Sequence, residues 1–307
     1  FGSSRPPCLA RGGRGWEAAA ASAPTAILAA LAFRQTPLRR RAAALAMERG
    51  REAGGGEDTE GKKYKDIKEM WNCELEGEAG RQSWYARATS YWQGQEASLN
   101  GVLGGYPETS DPDLRESRRF LGLIKQAPNA PAFGMALDCG AGIGRVTSGL
   151  LLDTFERVDL VEPNERLLEA ARHELAGQRA ERFMCASLQE FQPERNRYDV
   201  IWAQWVLLYL PDDDLAQFLA RCRTALRKGG MVCVKENTVL QGDWVVDKED
   251  NSIARTDAQY KAIFEKAGFS VLHELQQTCW PPDLIPVKMY ALRPKSVLKR
   301  PAAEQLG

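Results

Sequence analysis

The chain has 307 residues, 44% of them hydrophobic, and 41 basic against 41 acidic side chains, so its formal net charge is zero. That is enough apolar material for one good-sized domain plus extensions, and the charge balance argues against a nucleic-acid partner, which favours a basic surface. Two histidines, His173 and His273, are too few for a histidine-built metal site, and no apolar stretch reaches the roughly 20 residues that span a bilayer, so neither a metal nor a membrane is expected.

The first 46 residues are rich in Ala, Arg, Gly and Pro, with Glu17 as their only acid; an apolar run over 26–33 precedes Arg39-Arg40-Arg41. Two readings stand side by side: an organellar transit peptide, or translated upstream sequence with synthesis starting at Met47, the chain beginning at Phe1 as a fragment or an extended gene product would. The second places the protein in cytoplasm and nucleus, the first in an organelle. Residues 47–82 read as a charged linker, flexible over the Gly- and Glu-rich 48–62, with Tyr64, Ile67 and Trp71 at the spacing of a short amphipathic helix. Globular sequence is expected from about Arg81. A polar-aromatic helix spans 83–93, a glycine-broken loop follows over 100–106, and a helix with Pro112 in its first turn covers 111–125.

Strands and helices then alternate. The first strand, 135–139, runs into Gly140, Gly142 and Gly144, and an apolar, helix-compatible segment follows over 146–152. Glycine lets the backbone turn sharply and lets a ligand come close, and the next helix offers free N–H groups at its start. The Gly-x-Gly-x-Gly spacing differs from the dinucleotide fingerprint. Asp138 ahead of it suits a cofactor with a cationic amino-acid arm, which points to S-adenosylmethionine. Further strands are predicted over 157–162, 182–186, 198–204 and 231–235. A helix over 211–226 is stopped by Lys228-Gly229-Gly230, and another covers 257–267. Two consecutive strands, 269–276 and 287–292, close the sheet as an antiparallel pair. The pattern is an α/β class I methyltransferase fold: Rossmann-like, with seven mostly parallel strands and one antiparallel. The connection over 237–255 is long enough to suggest function, with a small hairpin expected over 239–246 around Gly242-Asp243. Cys139, Cys185 and Cys233, in apolar runs, are expected to be packed, reduced thiols of an intracellular protein, since none of the seven cysteines forms a Cys-x-x-Cys pair.

Glu162, at the end of the second strand, suits hydrogen bonds from both ribose hydroxyls. Arg145 suits the cofactor carboxylate, Leu188-Gln189 the adenine, and Gln204 the place where methyl donor and acceptor meet. Trp205 directly after it is placed to wall the acceptor pocket.

Several segments together resemble the protein α-N-terminal methyltransferases, which act on Xaa-Pro-Lys amino termini. They are Ser90-Tyr-Trp-Gln through Asn100-Gly-Val-Leu-Gly-Gly-Tyr106, Leu137-Asp-Cys-Gly-Ala-Gly-Ile-Gly-Arg145, Tyr198-Asp-Val-Ile-Trp-Ala-Gln-Trp205 and Lys235-Glu-Asn237. The resemblance implies a methyltransferase domain over 83–293 and a C-terminal tail over 294–307. It implies S-adenosylmethionine held by Gly140, Gly142, Gly144, Arg145, Glu162, Pro163, Leu188, Gln189 and Gln204. Trp92, Leu103, Tyr106 and Trp205 would line the substrate channel, Asn237 would hold the first substrate residue, and Asp247 and Asp250 would face its amino terminus and lysine. The partners would be protein tails beginning Xaa-Pro-Lys/Arg, taken up by a monomer. Methyl transfer from a sulfonium depends on positioning, and an α-amine of pKa about 7.7–8.0 needs little help to lose its proton. One position departs from the family: where it has a histidine, a candidate base, this chain has Tyr209, a poor base at neutral pH, so either Asp250 with water suffices, or Tyr209 only positions the amine, or activity is reduced; Asp250 and Asp247 are the catalytic candidates beside Tyr209. Two other readings remain: a small-molecule amine or carboxylate methyltransferase on the same fold, and a non-catalytic protein that keeps the cofactor fold.

Overall fold

The computed structural model describes residues 55–295; the leader reading of 1–46 and the tail beyond 295 lie outside the described residues. Seven strands form the main sheet: β3 (Met135–Cys139), β4 (Arg157–Val161), β5 (Ala180–Met184), β6 (Tyr198–Gln204), β7 (Leu226–Val239), β10 (Phe269–Gln276) and β11 (Val287–Pro294). They lie in the order β5-β4-β3-β6-β7-β11-β10. All pairs are parallel except those of β11, which runs antiparallel to β7 and β10. This is the class I methyltransferase arrangement. Every residue of β6 is buried, as befits a central strand covered on both faces. Alternate residues serve opposite faces: Leu137, Cys139, Ile201 and Ala203 join one buried cluster, and Ala136, Val200 and Trp202 the other.

Helices α4 (Ser110–Gln126) and α6 (Glu165–Glu174) contribute to the second cluster, α7 (Asp212–Ala225) and α8 (Asp257–Lys266) to the first. Between β3 and β4 a π turn, Thr147–Leu151, runs into a short helix, Leu152–Thr154, together α5. Lys228-Gly229-Gly230 does not stop a helix. It forms a wide bulge inside β7, where Tyr198 pairs with Leu226 but Val200 with Met231. Gly230 fits a crowded place there: a Cβ would sit 3.0 Å from the carbonyl oxygens of Arg227 and Asp199. Cys139 and Cys233 are buried as expected, but Cys185 is exposed.

The long connection and the segment before the domain differ from expectation. The hairpin comprises β8 (Trp244–Asp247) and β9 (Ser252–Thr256), turning at 248–251 rather than at Gly242-Asp243. Val239 is drawn into β7, where it pairs with Thr256, and so is lost to the expected hairpin. Residues 56–64 are no linker. β1 (Gly56–Asp58) pairs in parallel with β8 and antiparallel with β2 (Lys63–Tyr64). Gly56 serves close approach, not flexibility: a Cβ there would lie 2.3 Å from the Trp244 ring. Helix α1 (Ile67–Glu74), capped by Asp66, α2 (Gly77–Gly94) and the single turn α3 (Leu99–Val102) follow. Tyr64, Met70 and Trp84 bury against Trp244, Val246 and Ile253, so the folded part begins well before Arg81.

Candidate active site

The ends of β3, β4, β6 and β7 open on a cavity of about 660 Å³ that also meets α2, the 103–106 loop and the β8–β9 hairpin. Its glycine loop is built as the spacing predicts. Gly140, Gly142 and Gly144 have φ of +69°, +56° and +80°, a region open to glycine and costly for other residues. The Gly140 and Ala141 N–H groups donate to the Val161 carbonyl at 2.9 and 3.2 Å, which ties the loop to β4. A Cβ on Gly142 would meet only Val102 Cγ1, at 3.7 Å, and would occupy the cavity itself. Gly144 differs: it is not on the wall, and a Cβ there would press on Ala171 of α6 and on Leu175 just after it, so its role is packing. Asp138 also turns away. It is fully buried and accepts a 2.6 Å hydrogen bond from Thr147 Oγ1, and burial pushes its carboxyl up to about 7. It is not on the cavity wall, so it does not face a cationic arm there.

Glu162 lines the cavity with both oxygens anchored. Oε2 accepts from the Gly142 N–H at 3.0 Å and Oε1 from the Asn164 N–H at 2.9 Å. Burial pushes this carboxyl above the ordinary range, against those two bonds, which favour the ionised form. Each oxygen keeps acceptor capacity for a further donor. Pro163, Leu188 and Gln189 lie on the same wall. Arg221 holds the last two by donating to their carbonyls at 2.7 and 3.1 Å.

Arg145 and Gln204 meet through a residue that sequence patterns did not single out. Asp113, in α4, is fully buried. It lies 2.9 Å from Arg145 Nη1 and 2.5 Å from Lys235 Nζ, and accepts from Gln204 Nε2 on both oxygens at 3.0 and 2.9 Å. Burial alone would raise the Asp113 carboxyl; the Lys235 and Arg145 cations outweigh it and hold the group below its ordinary value. Gln204 Oε1 accepts from Trp202 Nε1 at 3.1 Å, which fixes the amide's orientation.

The rest of the cavity wall is aromatic and acidic. Trp205 has φ +52°, a conformation that costs a bulky residue about 1–3 kcal/mol and persists where the surroundings enforce it. Its N–H donates to the Lys235 carbonyl at 3.0 Å. Its ring lies 5.8 Å from that of Trp280 and 5.6 Å from Arg145 Cζ. Trp92 meets Tyr209 edge-on at 6.2 Å, and Leu103 and Tyr106 continue the wall across two glycines with positive φ. Asn237, at the end of β7, and Asp247 and Asp250, at the β8–β9 turn, also line the cavity. Tyr209 OH donates to Asp250 Oδ2 at 3.2 Å. Asp250 Oδ1 accepts from the Ser252 N–H at 3.1 Å and Asp247 Oδ1 from the Glu249 N–H at 2.9 Å.

Residues 80–293 match the family of AdoMet-dependent proline di-methyltransferases. The chain belongs to this family. It is 43% identical to alpha N-terminal protein methyltransferase 1 of Arabidopsis thaliana over 77% of its length and 90% of that protein's. It is 40% identical to N-terminal Xaa-Pro-Lys N-methyltransferase 1 of Danio rerio over 73% of its length and all of that protein's. A solved SAM-dependent methyltransferase from Leishmania major is 41% identical and superposes with a TM-score of 0.73, over 79% of this chain and 98% of that one.

The cofactor of this methyltransferase is S-adenosylmethionine, and the residues present suit it. Gly142 leaves room that any side chain would fill, Glu162 presents a fixed acceptor for hydroxyls, and Arg145 presents a cation for a carboxylate. Two buried polar atoms of the wall, Trp205 Nε1 and Tyr106 OH, have no hydrogen-bond partner among the described residues, and a buried orphan donor marks a place for a bound group. Asp113, Lys235, Arg221 and Trp280 are the functional neighbours that sequence reasoning missed. Lys235 stood inside a quoted motif, but nothing in the sequence tied it to Asp113.

Proposed function

We propose that this methyltransferase acts on the α-amino group of protein N-termini beginning Xaa-Pro-Lys or Xaa-Pro-Arg. One observation carries the reading: a single cavity joins the glycine loop and Glu162 to an aromatic wall and two carboxylates. The names of the plant and fish relatives support it. Gly140, Gly142, Arg145, Glu162, Pro163, Leu188, Gln189 and Gln204 hold the cofactor, which supplies an electrophilic methyl group. Trp205, with Trp92, Leu103 and Tyr106, receives the substrate's first residues by apolar contact, and its stiff φ fixes where a proline ring rests. Asn237 holds the first residue. Asp247 and Asp250 face the amine and the third-position cation.

An α-amine is half deprotonated near pH 8, so the site needs an acceptor rather than a strong base. Asp250 is that acceptor, directly or through water. Tyr209 OH donates to Asp250, so it orients the carboxylate instead of taking the proton itself. The test is a comparison of turnover on Ser-Pro-Lys, Ser-Pro-Glu and Ser-Ala-Lys peptides. The lysine peptide should be preferred by well over tenfold, because a third-position carboxylate would face two others and an alanine would leave Trp205 without its ring contact. Equal turnover of the three would sink the reading.

A further inference from the structure

The turn that carries Asp247 and Asp250 is fastened through Lys248, one of the two residues between them. Lys248 is bonded at three separate groups by three separate elements. Its backbone N–H donates to Thr59 Oγ1, just after β1, at 3.0 Å. Its ammonium lies 2.5 Å from Glu74 Oε2 at the end of α1. Its carbonyl accepts from Arg87 Nη1 of α2 at 3.0 Å. Thr59 is fully buried, and its own N–H donates to the Val246 carbonyl at 3.0 Å, so it grips the hairpin on both sides of Asp247. The Lys248 and Glu74 side chains are only 13% and 15% exposed, so solvent screens the pair far less than a surface ion pair.

The bonds within the turn set each carboxylate against its own local backbone. The turn is set against the rest of the fold by Thr59, Glu74 and Arg87, beside the Tyr209 OH bond to Asp250 and the Asn251 Nδ2 bond to the Trp84 carbonyl at 3.2 Å. Thr59 and Glu74 precede the residues that match the family, 80–293. We propose that Thr59, Glu74 and Lys248 are positioning residues that hold the Asp247–Asp250 turn at the substrate mouth, and so set affinity and third-position selectivity for the peptide. This rests on the reading that the two acids meet the substrate.

The test uses the full chain and its Thr59→Val, Thr59→Ser, Glu74→Gln and Asp247→Asn variants. Valine keeps the shape of threonine and removes the hydroxyl; serine keeps the hydroxyl. Thr59→Val should raise the KM for a Ser-Pro-Lys peptide roughly fivefold to tenfold, the worth of one buried hydrogen bond. The preference for Ser-Pro-Lys over Ser-Pro-Gln should fall with it, and the Kd for S-adenosylhomocysteine should stay as in the parent. Thr59→Ser should restore the KM, and Glu74→Gln should act in the same direction as Thr59→Val. Mere loss of folded protein would lower apparent kcat and leave KM alone. If Asp247→Asn raises KM and Thr59→Val does not, the clamp is overturned and the acid assignment stands. If Asp247→Asn leaves KM unchanged, both fall. Failure of Thr59→Ser to rescue, or a parallel loss of cofactor affinity, also overturns the proposal.

Discussion

Glu236 gives a prediction whose size follows from the structure. It lies on β7 between Lys235 and Asn237 and is fully buried. Its Oε1 accepts from the Val206 and Leu207 N–H groups at 2.9 and 2.7 Å, which pins the chain directly after Trp205. Oε2 has no hydrogen-bond partner among the described residues. Burial pushes this carboxyl from an ordinary 4.5 to about 8, against the backbone bonds and the Arg255 guanidinium. A carboxyl raised in the fold favours the folded state fully below its unfolded pKa, and that contribution is lost as pH rises through the folded value. With 1.36 kcal/mol per pKa unit, Glu236 should remove on the order of 3 kcal/mol of stability between about pH 5.5 and pH 8. Glu236→Gln keeps the shape and an acceptor for both N–H groups but does not titrate. Its stability should therefore fall much less over this window; Asp138, raised to about 7, continues to titrate there in both proteins. Urea unfolding at the two pH values measures the difference. Parallel losses in parent and variant would refute the assignment of a protonated, buried Glu236.

Three further outcomes are expected. Glu162→Ala should weaken S-adenosylmethionine binding by about 1.5–3 kcal/mol, the cost of charge-assisted hydrogen bonds; calorimetry that finds parent affinity would remove Glu162 from the cofactor site. Tyr209→Phe should keep most activity and Asp250→Asn should lose much more, with the parent's rate rising as the substrate amine deprotonates near pH 8; the reverse order of activities would make Tyr209 the proton acceptor. A chain beginning at Met47 should match the full chain in methylation, since all the residues assigned here lie beyond Gly55, whereas a chain beginning at Ser83 should fail because it lacks β1, α1 and the start of α2; full activity of the shorter chain would contradict the role given to Thr59 and Glu74.

The main sheet was legible because its strands carry strong local signals. β6 is a continuous buried run and its ends fall where the sequence places them, and the three glycines mark a turn whose φ values demand glycine. The failures share a cause: composition was read where a tertiary contact decides. Gly56 looks like linker glycine, yet the Trp244 ring leaves no room for a side chain, and Gly230 looks like a helix stop, yet it lies in a strand among crowded carbonyls. Asp113 could not be found by spacing at all, since it sits 91 residues from Gln204 and 122 from Lys235. Asp138 shows the opposite error, a motif acid taken as ligand-facing that packs against Thr147 instead. The Tyr209–Asp250 contact joins two residues that the sequence treats as alternatives.

The most direct measurement is fragment mass spectrometry of a Ser-Pro-Lys peptide incubated with the full chain and S-adenosylmethionine, beside the same peptide with an acetylated amino terminus. The free peptide should gain methyl groups on its α-nitrogen only, and the acetylated one should gain none. Methyl groups on the lysine side chain, or equal labelling of the blocked peptide, would contradict the account.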